Sequence, residues 1–307
     1  MPGTNCTPST EFSFTGFTED PVAQVLLFLM FLLIYLVSLL GNLGLITLIR
    51  ASPQLHTPMY YFLGNLAFAD LCSSTVITPK MLVDFLGEKR TIAYSGCVAQ
   101  VFVFDLFGMA ECFLLASMAY DRYVAVCQPL LYSFAMSPKC CSQLVVGSYL
   151  VGLANGVGQT IGMLSLSFCS SSTIDLFFCD ISPLIALSTS DTTLSHLILR
   201  TSASLFGVSS VSIVLVSYLA IISTILSIQS SSGKLKAFST CTSHLSTVSI
   251  FYGTSLFMYL KPSSDSSRED KWAAVLYTVV TPMLNPLIYS LRNKEVKEAW
   301  RRLTKRK

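Results

Sequence analysis

The chain contains 307 residues, of which 52% are hydrophobic and only 12% are charged, and its formal net charge is +3. Because a soluble domain carries about 25% charged residues, this composition excludes an ordinary soluble protein. The charges lie in narrow bands between long apolar runs, which leaves little length for a soluble catalytic domain. The lipid bilayer is therefore an expected partner, whereas a nucleic acid is not.

Seven apolar runs are long enough to cross a bilayer, for which a helix needs about 20 residues. Runs of this length without alternation predict helices, since backbone groups in lipid must bond internally. The fourth run is rich in glycine, which predicts close approach of a neighbouring helix. The predicted spans are 22–49, 59–82, 94–126, 141–168, 195–228, 238–260 and 272–291. We therefore predict an all-α membrane protein in which residues 1–307 form one seven-helix bundle.

The distribution of basic residues predicts the orientation in the membrane. Residues 1–21 contain three acidic residues and no Lys or Arg, whereas residues 292–307 contain eight basic residues. Basic residues favour the cytoplasmic side, so we expect an extracellular N-terminus and a cytoplasmic tail in the plasma membrane. The short loop with Lys89 and Arg90 is an exception, because it is predicted to lie outside.

The basic tail has the spacing of a short amphipathic helix that lies on an anionic membrane surface. A disordered basic tail is the alternative. The predicted apolar and basic faces consist of Val296, Trp300 and Leu303 and of Lys297, Arg301, Arg302 and Lys305.

Three of the ten cysteines lie at or beyond the outer membrane face, where disulfides persist. They are Cys97, Cys169 and Cys179, and a Cys97–Cys179 bridge would hold the loop between spans four and five over the bundle. From spacing alone, Cys169 is an equal candidate. Asn5 begins an Asn-Cys-Thr glycosylation triplet on the predicted extracellular side. The three histidines are scattered, so no metal site is expected.

Acidic residues inside the membrane are costly and usually functional. Asp70, Asp105 and Glu111 lie well within predicted spans, and Asn285 lies at a depth similar to Asp70 and Glu111. We name Asp70, Glu111 and Asn285 the inner polar cluster, which could hold a cation or share a proton. The alternative is a hydrogen-bonded clamp between helices without an ion.

Five sequence blocks resemble the signatures of odorant receptors, a branch of the rhodopsin-like G-protein-coupled receptors. They stand in the expected order at the ends of the expected spans, so the resemblance covers the whole chain. The blocks are Gly41-Asn42, Leu55-His56-Thr57-Pro58-Met59-Tyr60, Met118 to Cys127 (MAYDRYVAVC), Lys236 to Cys241 (KAFSTC) and Pro282 to Tyr289 (PMLNPLIY).

The resemblance implies a switch at the cytoplasmic face. Asp121 and Arg122 would form an ionic latch, and Arg122 would be released to meet the G protein. The residues assigned to this switch are Asp121, Arg122, Tyr123, Tyr218 and Tyr289. In related receptors the inner polar cluster can host sodium, which is the only cofactor that we expect.

The resemblance also assigns Cys97–Cys179 as the conserved bridge. The family usually has a further cysteine at the position of Thr189, and that cysteine would pair with Cys169. In this chain Cys169 is therefore expected to be a free thiol or to pair with Cys6.

Asp105 lies in the outer third of span three, in the stretch that lines the odorant pocket of the family. It would anchor a basic or hydrogen-bond-donating ligand, or stay protonated as a donor. The alternative is a salt bridge to Arg200 or Lys261. The residues expected to line the pocket with Asp105 are Gly108, Met109 and Cys112 on the same helix face, and Ser202, Phe206, Tyr252, Ser255, Tyr259 and Thr278 from the resemblance.

The expected function is that of an odorant receptor for small, mostly apolar volatile ligands. Coupling to a stimulatory, olfactory-type heterotrimeric G protein that raises cAMP is implied by the resemblance alone. An ion-coupled transporter is the alternative, because intramembrane carboxylates also coordinate ions, but the halves of the chain show no internal repeat. No catalytic constellation accompanies His56 or His244, so we do not expect an enzyme.

Overall fold

The computed structural model describes residues 10–87, 89–169, 173–260 and 267–305. Within these ranges, six helices are long and apolar enough to cross a membrane. In chain order they are helix 1 (Pro21–Ala51), helix 2 (Pro58–Leu86), helix 3 (Tyr94–Cys127), helix 4 (Pro138–Leu164), helix 5 (Thr193–Ser227) and helix 7, whose apolar part is Glu269–Ser290. Helix 6 (Ser231–Leu260) lies between the last two and is less apolar, because it is rich in Ser and Thr. The predicted all-α fold is confirmed.

Four predicted boundaries differ from the structure by four residues or more, and two of them are the end of helix 2, at Leu86 rather than 82, and the start of helix 7, at Ser267 rather than 272. Helix 6 begins at Ser231 rather than at 238, because helical hydrogen bonding continues into polar residues that a search for apolar runs omits. Helix 4 ends at Leu164 rather than at 168, where the hydroxyl of Ser165 donates to the Gly162 carbonyl at 2.7 Å. Hydropathy therefore locates a span, but local hydrogen bonding sets its ends.

Proline and capping residues start three of the membrane helices. Pro21, Pro58 and Pro138 occupy the first helical positions, where no backbone N–H is required. The Asp20 carboxylate accepts from the Ala23 N–H at 3.0 Å, and the Ser137 hydroxyl accepts from the Cys140 N–H at 3.4 Å. These signals are local, so the sequence marks where these three helices begin.

Helix 3 is the centre of the bundle and contacts helices 2, 4, 5 and 6. Helix 4 packs against it closely because Gly152 has no side chain at the crossing point. A Cβ atom on Gly152 would lie 2.3 Å from the backbone oxygen of Leu106. The predicted role of glycine in the fourth span therefore corresponds to a specific helix–helix contact.

Helices 5 and 7 each contain one π-helical turn in their outer half, at Ala203–Gly207 and Leu276–Val280. Such a turn inserts one extra residue and changes the face that the following residues present, and it often marks a functional site. In this chain the two turns contain Phe206 and Tyr277, which are both half-buried.

The end of the bundle next to the Cys97–Cys179 disulfide is covered by a small sheet that the sequence did not predict. The strand Glu11–Phe14 lies between Thr91–Ala93, to which it is antiparallel, and Thr173–Ile174, to which it is parallel. Phe12 on this strand is fully buried. Helix 7 is bonded to the residue that follows this strand, since the ammonium group of Lys271 donates to the Thr15 hydroxyl at 2.8 Å.

The Cys97–Cys179 disulfide is confirmed, with a Cα–Cα distance of 5.5 Å. Cys169 is also disulfide-bonded, so the expectation of a free thiol is wrong. The alternative pairing with Cys6 stays a prediction, because Cys6 lies outside the described residues. The predicted glycosylation of Asn5 also stays a prediction, because Asn5 lies outside them too. Thr189 lies beside Cys169, with 3.4 Å between its hydroxyl oxygen and the sulfur.

The predicted amphipathic tail helix is confirmed as Lys294–Lys305. Val296 and Ala299 are buried against the bundle core, whereas Trp300 is 56% exposed. The tail helix therefore turns one apolar face toward the bundle.

Candidate functional site

Asp105 lies at a junction of three helices in the outer half of the bundle. The Asn155 side-chain amide of helix 4 donates to the Asp105 carboxylate at 3.3 Å and to its backbone carbonyl at 3.2 Å. The Ser202 hydroxyl of helix 5 donates to the Asn155 amide oxygen. The structure therefore brings together Asp105 and Ser202, two predicted pocket residues, through Asn155, which the sequence did not single out.

The alternative of a salt bridge at Asp105 divides into two parts. Arg200 is exposed, and the ion pairs formed between described residues do not include one with Asp105. Lys261 lies outside the described residues. The Arg200 version of the alternative is therefore wrong, and the Lys261 version stays open.

Tyr277 is a second residue that sequence reasoning missed. A Cβ atom on Gly108 would lie 3.2 Å from the Tyr277 hydroxyl, so the tyrosine reaches across to helix 3. Its ring lies edge-on to Phe104, at 5.7 Å between centroids, and Phe104 contacts Phe178 of the loop between helices 4 and 5 at 5.5 Å. Aromatic rings thus line the space beside Asp105.

The remaining predicted pocket residues occupy the outer half of the bundle with different degrees of burial. Tyr252 donates to the Cys112 backbone carbonyl at 3.3 Å, which joins helix 6 to helix 3. Thr278 is buried and donates to the Ala274 carbonyl of its own helix. The half-buried residues are Met109, Cys112, Ser202, Phe206, Tyr252 and Ser255. The side chain of Tyr259 lies outside the described part.

The loop between helices 4 and 5 contributes a buried carboxylate, Asp180, directly after the bridged Cys179. Asp180 caps the short helix Ile181–Leu187 by accepting from the Ile181 N–H at 2.7 Å. The Cys179 N–H donates to the Gln100 side-chain oxygen at 3.0 Å, which fixes the loop on helix 3. Burial raises the pKa of Asp180 to about 6. Its position next to a bridged cysteine was the sequence signal that could have found it.

The structure joins two of the three residues of the inner polar cluster, Asp70 and Asn285, by direct hydrogen bonds. Asn285 of helix 7 donates to both Asp70 carboxylate oxygens, at 2.9 and 3.1 Å. Glu111 of helix 3 instead accepts from the Ser73 hydroxyl at 2.6 Å, one turn from Asp70 along helix 2. The Asn285 side-chain oxygen is buried and has no hydrogen-bond partner among the described residues. All available acceptors are oxygens, which suit a small hard cation.

Near the C-terminal end of helix 3, Arg122 pairs with the adjacent Asp121. The guanidinium Nε donates to the Asp121 carboxylate at 2.9 Å, and a second guanidinium N–H bonds the same oxygen. The other carboxylate oxygen accepts from the Tyr132 hydroxyl at 2.8 Å. Burial, and then the nearby Asp121 charge, raise the pKa of Tyr132, so it stays a neutral donor. Tyr132 lies in the short helix Tyr132–Ala135 and was not predicted to take part.

A histidine that the sequence did not assign to a role connects three helices above this ion pair. The fully buried His244 of helix 6 bonds the Tyr218 hydroxyl of helix 5 at 2.6 Å, and its other ring nitrogen bonds the Leu115 carbonyl of helix 3 at 3.1 Å. Tyr289 is fully buried, and its hydroxyl has no partner among the described residues. Tyr123 is half-buried and accepts from Gln128 at 3.0 Å.

The Gly41-Asn42 block acts between helices 1 and 7. The Asn42 amide donates to the Pro282 carbonyl at 2.9 Å. A Cβ on Gly41 would lie 2.9 Å from the Pro286 ring, so the glycine permits the close approach. These contacts hold helix 7, which carries Asn285 and Tyr289, against helix 1.

Known proteins resemble this chain over nearly its full length. A model of the family described as "Olfactory receptor" matches residues 31–307. The chain is 53% identical over 308 residues to "Olfactory receptor 5G3" of Homo sapiens, covering 100% of this chain and 98% of that protein. It is 54% identical over 304 residues to "Olfactory receptor-like protein COR4" of Gallus gallus, covering 99% and 97%. Squid rhodopsin has the same fold, with a TM-score of 0.68 at 18% identity, covering 91% of this chain and 85% of that one.

Proposed function

The chain belongs to the olfactory receptor family of seven-helix G-protein-coupled receptors, and we propose that it detects small, mostly apolar volatile molecules and activates a stimulatory, olfactory-type G protein that raises cAMP. Members of this family are receptors rather than enzymes. The observation that carries the proposal is the placement of two separate polar sites on helix 3. Asp105 lies in the outer half, and the Asp121–Arg122 pair lies at the cytoplasmic end.

The proposed ligand site is the outer space bounded by helices 3, 5, 6 and 7. The half-buried positions of Met109, Phe206 and Ser255 fit a pocket wall rather than a closed core or a lipid-facing surface. Small-molecule pockets are mostly apolar with a few polar groups that orient the ligand. Asp105 and the Tyr277 hydroxyl are the polar groups that would do so.

Activation would require the resting contacts at the cytoplasmic end to break, so that Arg122 can meet the G protein. In the structure Arg122 is engaged by Asp121, and His244 ties helix 6 to helices 3 and 5. Outward movement of helix 6 would break the two His244 contacts and free the Tyr218 hydroxyl. A ligand that binds the outer site more tightly in the moved state shifts the population toward it.

Sodium is proposed as a ligand of the inner polar cluster. The unpartnered oxygen of Asn285 and the Asp70 carboxylate supply the oxygens that such a cation needs. Bound sodium would offset the charges of Asp70 and Glu111. We expect replacement of extracellular sodium by choline to change agonist potency in the native chain but not in Asp70→Asn. Equal sodium sensitivity in both would contradict this assignment.

The proposed orientation has an extracellular N-terminus and a cytoplasmic tail. The Cys97–Cys179 disulfide supports this orientation, because it would lie outside the cell, where disulfides persist. Epitope tags at either terminus would test it. An N-terminal tag should be accessible to antibody in intact cells, and a C-terminal tag should require permeabilisation.

The function is tested by cAMP measurement in cells that express the full chain, its trafficking helpers and an olfactory-type G protein. A panel of neutral and charged odorants is applied, and surface level is measured by an N-terminal tag. We expect an odorant-dependent cAMP rise that Arg122→Ala abolishes at equal surface level. Ligand-dependent flux that persists without a G protein would instead favour the transporter alternative.

A further inference from the structure

A cleft of about 390 Å³ lies where the tail helix packs against helices 1 and 7. We call it the tail cleft. Helix 1 forms one wall, with Leu40, Gly44 and Leu45, and the tail helix forms the other, with Lys297, Trp300 and Arg301. Its volume lies in the range of small-molecule sites, about 300–1,000 Å³. The residues assigned to the odorant pocket do not line it, so it is a separate site.

The wall formed by helix 1 is apolar and faces the lipid. Leu40 is 68% exposed within a helix that is long and apolar enough to cross the membrane, so its open side meets lipid chains. A Cβ atom on Gly44 would meet no atom within 4 Å, so the glycine leaves open space along this wall. An occupant of the cleft therefore needs a hydrocarbon part.

The wall formed by the tail helix is cationic. Lys297 and Arg301 are four residues apart and lie on the same face of the helix. Asp and Glu do not occur among the described residues that line the cleft. The acidic residues of the tail helix are Glu295 and Glu298, and Glu295 accepts instead from the Tyr60 hydroxyl of helix 2 at 2.6 Å. Two cations on one wall favour an anionic group, and a guanidinium matches the geometry of phosphate oxygens.

Trp300 indicates the depth of the cleft in the membrane. It lines the cleft and is 56% exposed. Tryptophan is enriched at the membrane–water interface, because its ring is apolar and its N–H is polar. The two cations on the same helix therefore lie at the level of the lipid headgroups, beside a wall at the level of the lipid chains. A free phosphate would leave the apolar wall uncovered, and a neutral lipid would leave the cations without a counter-charge.

We propose that the tail cleft binds one acidic phospholipid, with an acyl chain along helix 1 beside Gly44 and the anionic headgroup at Lys297 and Arg301. This inference goes beyond the proposed function, since it assigns a second binding site. It agrees with the proposed orientation, because acidic lipids are concentrated in the cytoplasmic leaflet, where basic pockets bind their headgroups.

The test uses the fluorescence of Trp300 as a local reporter. The chain contains two tryptophans, and Trp272 contacts Phe17 at the opposite end of helix 7. The full chain with Trp272→Phe is placed in phosphatidylcholine nanodiscs, so that the remaining signal comes from Trp300. Phosphatidylserine or phosphatidylcholine brominated near the headgroup end of its acyl chains is then added in increasing mole fraction. Bromine quenches the indole on contact, and both leaflets have the same composition, so the result does not depend on orientation.

Three variants separate the two parts of the site. Lys297→Gln together with Arg301→Gln removes the cations of the cleft. The matched control, Lys294→Gln together with Arg302→Gln, removes two exposed charges of the same helix that do not line the cleft. Gly44→Leu fills the open space along helix 1 and keeps both cations.

We expect brominated phosphatidylserine to occupy the site of Trp300 about 25-fold more strongly than brominated phosphatidylcholine, a factor of about five for each basic residue. The cleft variant should lose most of this preference, whereas the control should keep it. Quenching by brominated phosphatidylcholine should be equal in the native chain, the cleft variant and the control, which shows that the tail helix stays in place. Gly44→Leu should reduce quenching by both lipids.

Three results would overturn the inference. Equal quenching by the two lipids in the native chain would show no selectivity for acidic lipid. An equal loss of preference in the cleft variant and the control would show only a general attraction to a basic tail. Quenching that Gly44→Leu leaves unchanged would show that the acyl chain does not enter the cleft. Each of these leaves the proposed function standing, because the experiment uses neither an odorant nor a G protein.

Discussion

The Asp121–Arg122 pair should hold the receptor in its resting state, and Asp121→Asn should therefore raise basal signalling. Asparagine keeps the size and an acceptor oxygen but removes the charge. The Arg122 side chain is 12% exposed and the Asp121 side chain is not exposed, so water replaces little of the lost interaction. The change weakens the contact in the resting state and leaves Arg122 available to a G protein.

The size of the effect follows from the three hydrogen bonds that Asp121 accepts. Two come from Arg122 and one from Tyr132. Hydrogen bonds to a charged group contribute about 1.5–3 kcal/mol and neutral ones about 0.5–1.5 kcal/mol, so neutralising Asp121 should weaken the resting state by about 1.5–3 kcal/mol. Because 1.4 kcal/mol corresponds to a factor of ten, the active fraction should rise about 10- to 100-fold when it is small at the outset.

The measurement is basal cAMP without odorant, normalised to surface receptor, for the native chain, Asp121→Asn and Tyr132→Phe. Tyr132→Phe removes one neutral donor and leaves the Arg122 contact, so its basal signal should rise about two- to tenfold. Arg122→Ala, which cannot engage the G protein, should show no rise. A native basal level in Asp121→Asn at equal expression, or a larger rise in Tyr132→Phe than in Asp121→Asn, would refute the latch.

Three further predictions concern packing, coupling and pH. Gly152→Val should sharply reduce surface expression, measured by flow cytometry, because the valine side chain would overlap a backbone carbonyl of helix 3. The control Gly147→Val should express normally, because position 147 has open space around it. His244→Phe should raise basal cAMP severalfold, because it deletes the hydrogen bond to Tyr218 and a second one to the Leu115 carbonyl of helix 3. Each of these bonds contributes about 1 kcal/mol. An unchanged basal level would contradict a resting-state role for His244. The pKa of Asp180 is raised to about 6 by burial, so lowering the extracellular pH through that value should protonate Asp180 and change odorant potency in the native chain but not in Asp180→Asn. Equal pH dependence in the two chains would show that the Asp180 charge does not contribute.

The sequence determined the fold class because transfer into lipid depends on the local composition of each segment. A run such as 22–49 favours the membrane whatever its neighbours do, and proline or capping residues such as Asp20 mark where helices begin. The five short sequence blocks identified the family for the same reason, since the residues of each block are contiguous. The disulfide between Cys97 and Cys179 came from the resemblance rather than from spacing.

The tertiary structure decided which side chains meet, because contacts between helices depend on the rotation and depth of each helix. Hydropathy does not fix either quantity. The contact of Asn155 with Asp105, the approach of Tyr277 to helix 3 and the three-helix role of His244 all join residues far apart in the chain. The cover strand Glu11–Phe14 was missed because its partners are two short loop segments without a strand pattern of their own. The sequence alone therefore determined a seven-helix receptor with an acid in its outer half, and only the packing of helices 3, 4 and 7 with the extracellular loop showed what surrounds that acid.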